Sequence, residues 1–403
     1  MLTTTEKLLF GLLVAISLMA TYNTFGLMAR IILRGQGRLY FDNFFGRAWA
    51  GFVALLSQGR MIRHRKLSSI FHYGVAWGFI FYFLVNAVDV LEGLVPGFHF
   101  LEDNLVGNLF RLAADVFSVV VLVGVLYFLI RRFAVKDPVL TVRENVVLHP
   151  KARAGGVWTD SLVVGVFILL HVGFRLFGAS ALVAQHGGDP WQPFGTLIAN
   201  TLFANTSDFG LTAAWHVGWW VAIGLILLFL PYFPYTKHAH LFMGPFNFMT
   251  APPRTYLGQM KTLDFEDESL EQFGAATLFD LEQTRVVDAF ACIMCNRCQE
   301  ACPAYNTGKE LSPAALEINK RYHLRDDMAG LAAGAPDEAP LLAYAISESA
   351  VWACTACGAC IDVCPVGNTP MLDIMDIRRD QVLMASSFPG ELQGAFRGME
   401  RQG

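Results

Sequence analysis

The chain has 403 residues, of which 54% are apolar and only 16% charged, with 33 phenylalanines. Ordinary soluble domains carry about 25% charged residues, so a wholly soluble protein is excluded and part of the chain is expected in a membrane. The net charge of −4 points to no particular partner, and no basic patch with interleaved aromatics suggests nucleic acid.

Five runs reach the roughly 20 apolar residues that a bilayer crossing needs. They lie near Leu8–Met28, Ser69–Val90, Val106–Ile130, Asp160–Ala179 and Leu211–Phe233. The first has no small-residue cleavage site and reads as a retained span, not a signal peptide. Between the first two, Phe44–Met61 is too charged to span and reads as an amphipathic helix at the interface. The first connection carries Arg30, Arg34, Arg38, Arg47, Arg60, Arg63, Arg65 and Lys66, and the third carries Arg131, Arg132, Lys136, Arg143, Lys151 and Arg153. The second and fourth carry no Lys or Arg. The positive-inside rule then places the N-terminus outside and the C-terminus in the cytoplasm. Prolines 231, 234, 245, 252 and 253 follow the last span, then an acidic linker (Asp264–Glu271), then the composition of a soluble helical domain. The expected fold is all-α: a membrane domain over 1–245, a linker over 246–275 and a cytoplasmic ferredoxin-like domain over 276–403. Gly334–Pro340 reads as a surface loop, Ile374–Leu383 as a helix and the final GMERQG as a linker.

All eight cysteines fall in two stretches, ACIMCNRCQEACP (Ala291–Pro303) and ACTACGACIDVCP (Ala353–Pro365). Each reads C-x2-C-x2-C-x3-C-P, the spacing of a two-cluster ferredoxin in which the fourth cysteine of one run serves the other cluster. Cys292, Cys295, Cys298 and Cys364 are thus expected to hold one [4Fe–4S] cube, and Cys354, Cys357, Cys360 and Cys302 a second. Structural zinc would need neither the third cysteine nor the C-P ending. A disulfide framework belongs to small secreted domains.

Electrons at such clusters need a counterpart in the bilayer, and a five-span domain suggests b-type haem with two axial imidazoles. Polar residues inside spans are costly and commonly functional. His72 and His240 match in depth on the inner side and are the first candidate pair. His171 and His216 approach each other in depth in the outer half and are a second possible pair, with Arg175 at i+4 from His171 as a propionate partner. The remaining histidines, at 64, 99, 149, 186, 238 and 323, read as solvated residues of loops and termini. Arg111, Asp115, Asp89 and Tyr82 are candidates for a quinone headgroup.

FHYGVAWGF (Phe71–Phe79) and FPYTKHAHLFMGPFN (Phe233–Asn247) resemble the haem-bearing second and fifth spans of the γ subunit of respiratory nitrate reductase. The resemblance implies an inner haem on His72 and His240. At the positions of that family's other two ligands stand Tyr82 and Ala222, so a second haem would be absent or held differently. CIMCNRCQEACPAYNTGKELSP and VWACTACGACIDVCPVGNTP resemble the heterodisulfide-reductase D type of iron–sulfur protein. The fusion of both halves is similar to the membrane-bound iron–sulfur oxidoreductases that serve electron-transfer flavoprotein and menaquinone. Those proteins continue into cysteine-rich CCG modules, which do not occur before Gly403, so a separate subunit or a further stretch is expected to supply them. The resemblance implies a respiratory oxidoreductase of the inner membrane, passing electrons between a cytoplasmic flavoprotein and (mena)quinone. Two alternatives are a heterodisulfide or sulfur-compound reductase component fed by quinol, and a membrane anchor that relays electrons without catalysis of its own.

Overall fold

The computed structural model describes residues 1–101, 104–268 and 270–402. Residue 269 of the expected acidic linker and the terminal Gly403 lie outside them. Among the described residues there is no strand, only an isolated bridge between Gln36 and Glu282. The principal helices are α1 (Thr4–Ile32), α2 (Phe44–Ser57), α3 (Lys66–Leu94), α4 (Leu105–Leu129), α5 (Val157–Gln185), α6 (Pro193–Leu202), α7 (Asp208–Phe229), α8 (His240–Thr250), α9 (Gln283–Ala291), α10 (Pro313–Asp326), α11 (Pro370–Arg379) and α12 (Gln393–Gln402). Among the described residues five helical stretches are long and apolar enough to cross a membrane: Thr4–Ile32, Lys66–Leu94, Leu105–Ala134, Ala152–Gln185 and Asp208–Tyr235. Each expected span lies inside one of them.

The chain divides into two compact units. The first comprises residues 1–25, 65–136 and 158–233. Two of its helices start at polar side-chain caps. Asn104 Oδ1 accepts from the amides of Val106 (2.9 Å) and Gly107 (3.0 Å) to begin α4, and Ser207 caps α7. These side chains satisfy amides that the first helical turn leaves open. Asp115, from the middle of α4, does the same for α6, accepting from Phe194 N (2.7 Å) and Gly195 N (2.9 Å). Where α5 crosses α7, Gly178 faces Gly218. A Cβ on Gly218 would lie 2.6 Å from the Gly178 Cα, so only paired glycines let these backbones touch.

The second unit comprises residues 26–64, 137–157 and 234–403. It therefore differs from the contiguous division expected from composition: two connections between spans are built into it. The reason is hydrogen bonding. The amide of Gln36 donates to Leu281 O (2.8 Å) and its carbonyl accepts from Gln283 N (2.9 Å). Arg34 reaches Leu331 O at 2.8 Å while lying 4.0 Å over the Phe279 ring. Asn319 clasps the other connection, accepting from His149 N (2.7 Å) and donating to Val147 O (2.9 Å). A loop carries many unpaired backbone groups, and buried asparagine and arginine side chains on a helical core can satisfy them.

The core of this unit is α9, α10 and α11. Between them Lys320, fully buried, sits 2.5 Å from Asp373 and 3.1 Å from Glu317. Burial pushes the Glu317 carboxyl up, against the pull of Lys320. Three readings of the sequence are corrected here. His149 lies 3.3 Å from Asp326, largely covered, and His323 is on α10, 3.0 Å from Asp337; neither is a solvated loop residue. The terminal stretch is helical through Gln402 as α12, because Gln393–Gln402 contains no proline and its two glycines are four residues apart on an otherwise helix-compatible run.

Candidate iron–sulfur centre and membrane cavity

α9 ends at Cys292, and the chain then turns through the first cysteine motif. Arg321, fully buried, donates to the carbonyls of Phe290 (2.7 Å) and Ala289 (3.3 Å). A cation at a helix C-terminus satisfies its open carbonyls, and here it fixes the point from which Cys292 projects. The amide of Met294 points at Cys292 Sγ (3.4 Å), as that of Ala356 does at Cys354 Sγ (3.5 Å) and that of Asn368 at Cys364 Sγ (3.3 Å). Amides aimed at cysteine sulfur are the contacts that tune iron–sulfur potentials.

The structure brings Cys302 together with Cys354, Cys357 and Cys360 around one small cavity. Cys364 instead neighbours Cys292 and Cys295, and Cys298 neighbours all three. The two seats adjoin where Cys298 packs against Cys360. Burial pushes the thiols of Cys292 and Cys360 up to about 12 and those of Cys298 and Cys364 well up. Buried thiols of this kind are costly as bare thiolates and are matched by a cationic group that takes sulfur ligands. The donor set fits an iron–sulfur cube.

Some residues that shape the seats escaped the reading of the sequence. Asn247, in the stretch after the last span, donates to Asp288 Oδ1 (2.7 Å) and to Val366 O (3.0 Å). Asp288 also accepts from Thr369 N and Oγ1, both at 2.9 Å. This buried network ties α8 and α9 to the segment that carries Cys364. The signal available in the sequence was the polar pair Asn368–Thr369 directly after the C-P-x-G turn.

In the first unit, α3, α4, α5 and α7 enclose a cavity of about 1150 Å³ at the end where α3 and α5 finish and α4 and α7 begin. Arg175 and Asp89 line it as an ion pair, Nε to Oδ2 at 3.0 Å and Nη2 to Oδ1 at 3.2 Å. Trp219 donates to Asp89 O at 2.8 Å. Arg111, also on the wall, meets Asp189 at 3.0 Å. Tyr82 and Asp115, the other quinone candidates, are engaged elsewhere: Tyr82 Oη lies 2.5 Å from Ser118 Oγ, and Asp115 caps α6.

The histidines are placed as follows. His171 is buried, with Nδ1 2.9 Å from Ala222 O. His216 Nδ1 lies 2.7 Å from Glu6 Oε1. Neither ring lines the cavity. His72 sits on α3, its ring 6.3 Å from that of Phe128. His240 opens α8, with Nδ1 2.9 Å from Lys237 O; burial pushes its imidazole down to about 4. A carbonyl can only accept, so His240 carries its proton on Nδ1 and keeps a lone pair on Nε2, the form in which a histidine binds a metal.

Residues 288–368 match the family described as the 4Fe–4S dicluster domain. The chain is 29% identical over 402 residues to the probable iron-sulfur-binding oxidoreductase FadF of Bacillus subtilis, across 92% of this chain and 54% of that protein. It is 28% identical over 392 residues to the EtfAB:quinone oxidoreductase of Syntrophomonas wolfei, across 89% of this chain and 52% of the relative. A probable membrane-anchored ferredoxin of Chromohalobacter salexigens is 26% identical over 148 residues, 33% of this chain and 22% of that protein. The chain thus spans about half the length of the first two relatives. No solved structure matches it. Five membrane-length helices and a 4Fe–4S dicluster domain on one chain, with relatives so named, make this a multi-pass membrane protein similar to iron–sulfur oxidoreductases of electron transfer.

Proposed function

We propose that the chain carries electrons between a soluble flavoprotein and the quinone pool, through two [4Fe–4S] clusters and a haem b. The observation that carries this reading is the union of two four-cysteine seats with membrane-length helices that enclose a large, ion-paired cavity. The name of the Syntrophomonas wolfei relative supports the flavoprotein and quinone ends. Cys292, Cys295, Cys298 and Cys364 would hold one cluster and Cys302, Cys354, Cys357 and Cys360 the other; His72 and His240 would ligate the haem. When bound, these groups supply one-electron chemistry. The protein's own part is positional. Its buried amides and helix ends hold the thiolates, and Lys237 O fixes the tautomer of His240.

The cavity of the first unit is the proposed quinone site. A quinone ring needs an apolar slot with a few polar groups at its carbonyls. Trp215, Trp219, Val88 and Ile223 supply the slot, and Arg175, Asp89 and Arg111 the polar groups. By the charge of the connections this end of the helices faces outward, and the iron–sulfur domain is cytoplasmic.

The test is a reduced-minus-oxidised absorption spectrum of the anaerobically purified chain with a menaquinol analogue as sole reductant, and haem and iron measured on the same sample. The expected result is quinol-reducible b-type haem. A haem-free preparation, or one inert to quinol, overturns the reading.

A further inference from the structure

The two cysteine motifs follow one backbone path under different cover. Met294 and Ala356, each two residues after the first cysteine of its motif, have φ of 53° and 51°; Asn296 and Gly358, each just after the second cysteine, have φ of 60° and 73°. Left-handed backbone at these points wraps three cysteines around a seat. The side chains presented by the turns differ. In the first motif Arg297 donates to the carbonyls of Met61 (3.0 Å) and His64, and Gln299 donates to Thr141 O (2.9 Å). Met294 packs with Ala152, Ile318 and Tyr322. The connections 26–64 and 137–157 are thereby drawn over that turn.

In the second motif the matching positions are Ala359, Ile361 and Ala356, whose side chains offer no hydrogen bond. Among the described residues no equivalent hydrogen bond from these positions is found, and Thr355, Ala356 and Cys357 are exposed. Among the eight cysteines, Cys357 is the exposed one. Leu257 lies beside this turn, 3.5 Å from where a Cβ on Gly358 would be. Leu257 and its neighbour Tyr256 are 41% and 66% exposed.

We propose that the turn Thr355–Cys357, with Leu257 beside it, is the docking surface of a soluble redox protein and the point of electron exchange, the Cys292 seat being an interior relay. This rests on the electron-transfer reading above and adds which of two near-identical seats faces the partner. Electron tunnelling falls steeply with distance, so an exposed ligand gives the shortest approach. The turn Thr355–Cys357 itself carries no acidic or basic side chain, and such a surface loses water readily when a partner covers it, as the centre of a protein interface does. In the exchange one electron leaves the partner's cofactor and enters the Cys357 seat; no bond forms or breaks.

The test uses the anaerobically purified full chain in lipid nanodiscs. Mild ferricyanide oxidation followed by iodoacetamide, with peptide mapping, reports which cysteine is released first. Cys357 is expected ahead of the other seven; first release of Cys292, Cys295, Cys298 or Cys364 overturns the proposal. In parallel, soluble flavodoxin hydroquinone, an acidic donor, is mixed with Thr355→Asp and Thr355→Lys variants. The second-order rate should fall by about tenfold for the aspartate and rise for the lysine, a reversal that misfolding does not produce. An equal response from both variants overturns the docking surface, as does a concentration-dependent dimer that buries this turn. Failure of the parent chain to accept electrons from a menaquinol analogue sinks the quinone-linked reading alone, since release order and flavodoxin rates still decide the surface.

Discussion

His171 Nδ1 lies 2.9 Å from the carbonyl oxygen of Ala222, and its ring packs 5.8 Å from that of Tyr82. Tyr82 and Ala222 are the two positions at which the resemblance to nitrate reductase γ would require histidines. A tyrosine tied to Ser118 and a histidine from a different helix occupy that space instead. His171→Phe is therefore expected to keep the haem content of the parent chain, whereas His240→Ala loses it. Haem per chain from the pyridine haemochrome checks both; a drop by half in His171→Phe would place a second haem on that ring.

The Asp89–Arg175 pair is half-buried on the wall of the cavity in the membrane unit. Arg175→Leu leaves Asp89 without its partner and should cost about 1–3 kcal/mol. The double change Asp89→Leu with Arg175→Leu should recover most of that stability while quinol oxidation stays lost. Thermal melting in detergent and quinol turnover separate the two effects.

Lys320 holds Glu317 and Asp373 together inside the iron–sulfur unit. Lys320→Met would strand two carboxylates and should destabilise that unit by about 3–5 kcal/mol. The expected outcome is loss of iron during purification, with the membrane unit still inserted. Iron analysis beside membrane fractionation reads it.

The crossed fourth cysteines give a direct test. Cys364→Ser should lower iron from about eight atoms per chain to about four, and iodoacetamide should then label Cys292, Cys295 and Cys298. Cys302→Ser should open Cys354, Cys357 and Cys360 instead. Labelling of the motif that lost its own fourth cysteine would show that the seats are not crossed.

Burial pushes the Asp376 carboxyl up from 3.8 to about 6. A raised acid is stabilising in its protonated form. Below about pH 4 it is protonated both folded and unfolded, and stability falls as pH rises from there to about 6, by up to ~3 kcal/mol. Asp376→Asn should therefore stabilise the chain at about pH 7.5 and do little near pH 4, less the contact that Asp376 makes with Arg379 at 3.2 Å. Thermal midpoints at the two pH values decide it.

The cysteine spacing and the apolar runs were legible because each obeys a local rule: ligand spacing on one side, bilayer thickness on the other. The amphipathic stretch from Phe44 was legible for the same reason, and α2 presents Phe45 and Trp49 outward. What escaped was set by contacts distant in sequence. Arg30 to Arg65 were counted as charges for topology, yet Arg34 is spent on Leu331 O and the Phe279 ring. Asp115 stands inside a span, and nothing local shows that the start of α6, about 80 residues later, occupies both its oxygens. Helix spacing places Arg175 on the face of His171, but only the fold brings Asp89 of another helix to 3.0 Å from it.

The iron–sulfur unit is stitched from three separate pieces of chain, and this sets an order for biogenesis. During synthesis residues 26–64 and 137–157 leave the ribosome long before Cys292, and they wait unpartnered until α9 and α10 emerge. Metal insertion would then follow the making of the five membrane-length helices among the described residues. A fragment begun at residue 246 or 276 would lack two of the three pieces, taking Met61 O and His64 O from Arg297 and His149 N and Val147 O from Asn319. Such a fragment is a poor substitute for the whole chain in any attempt to load or crystallise the clusters.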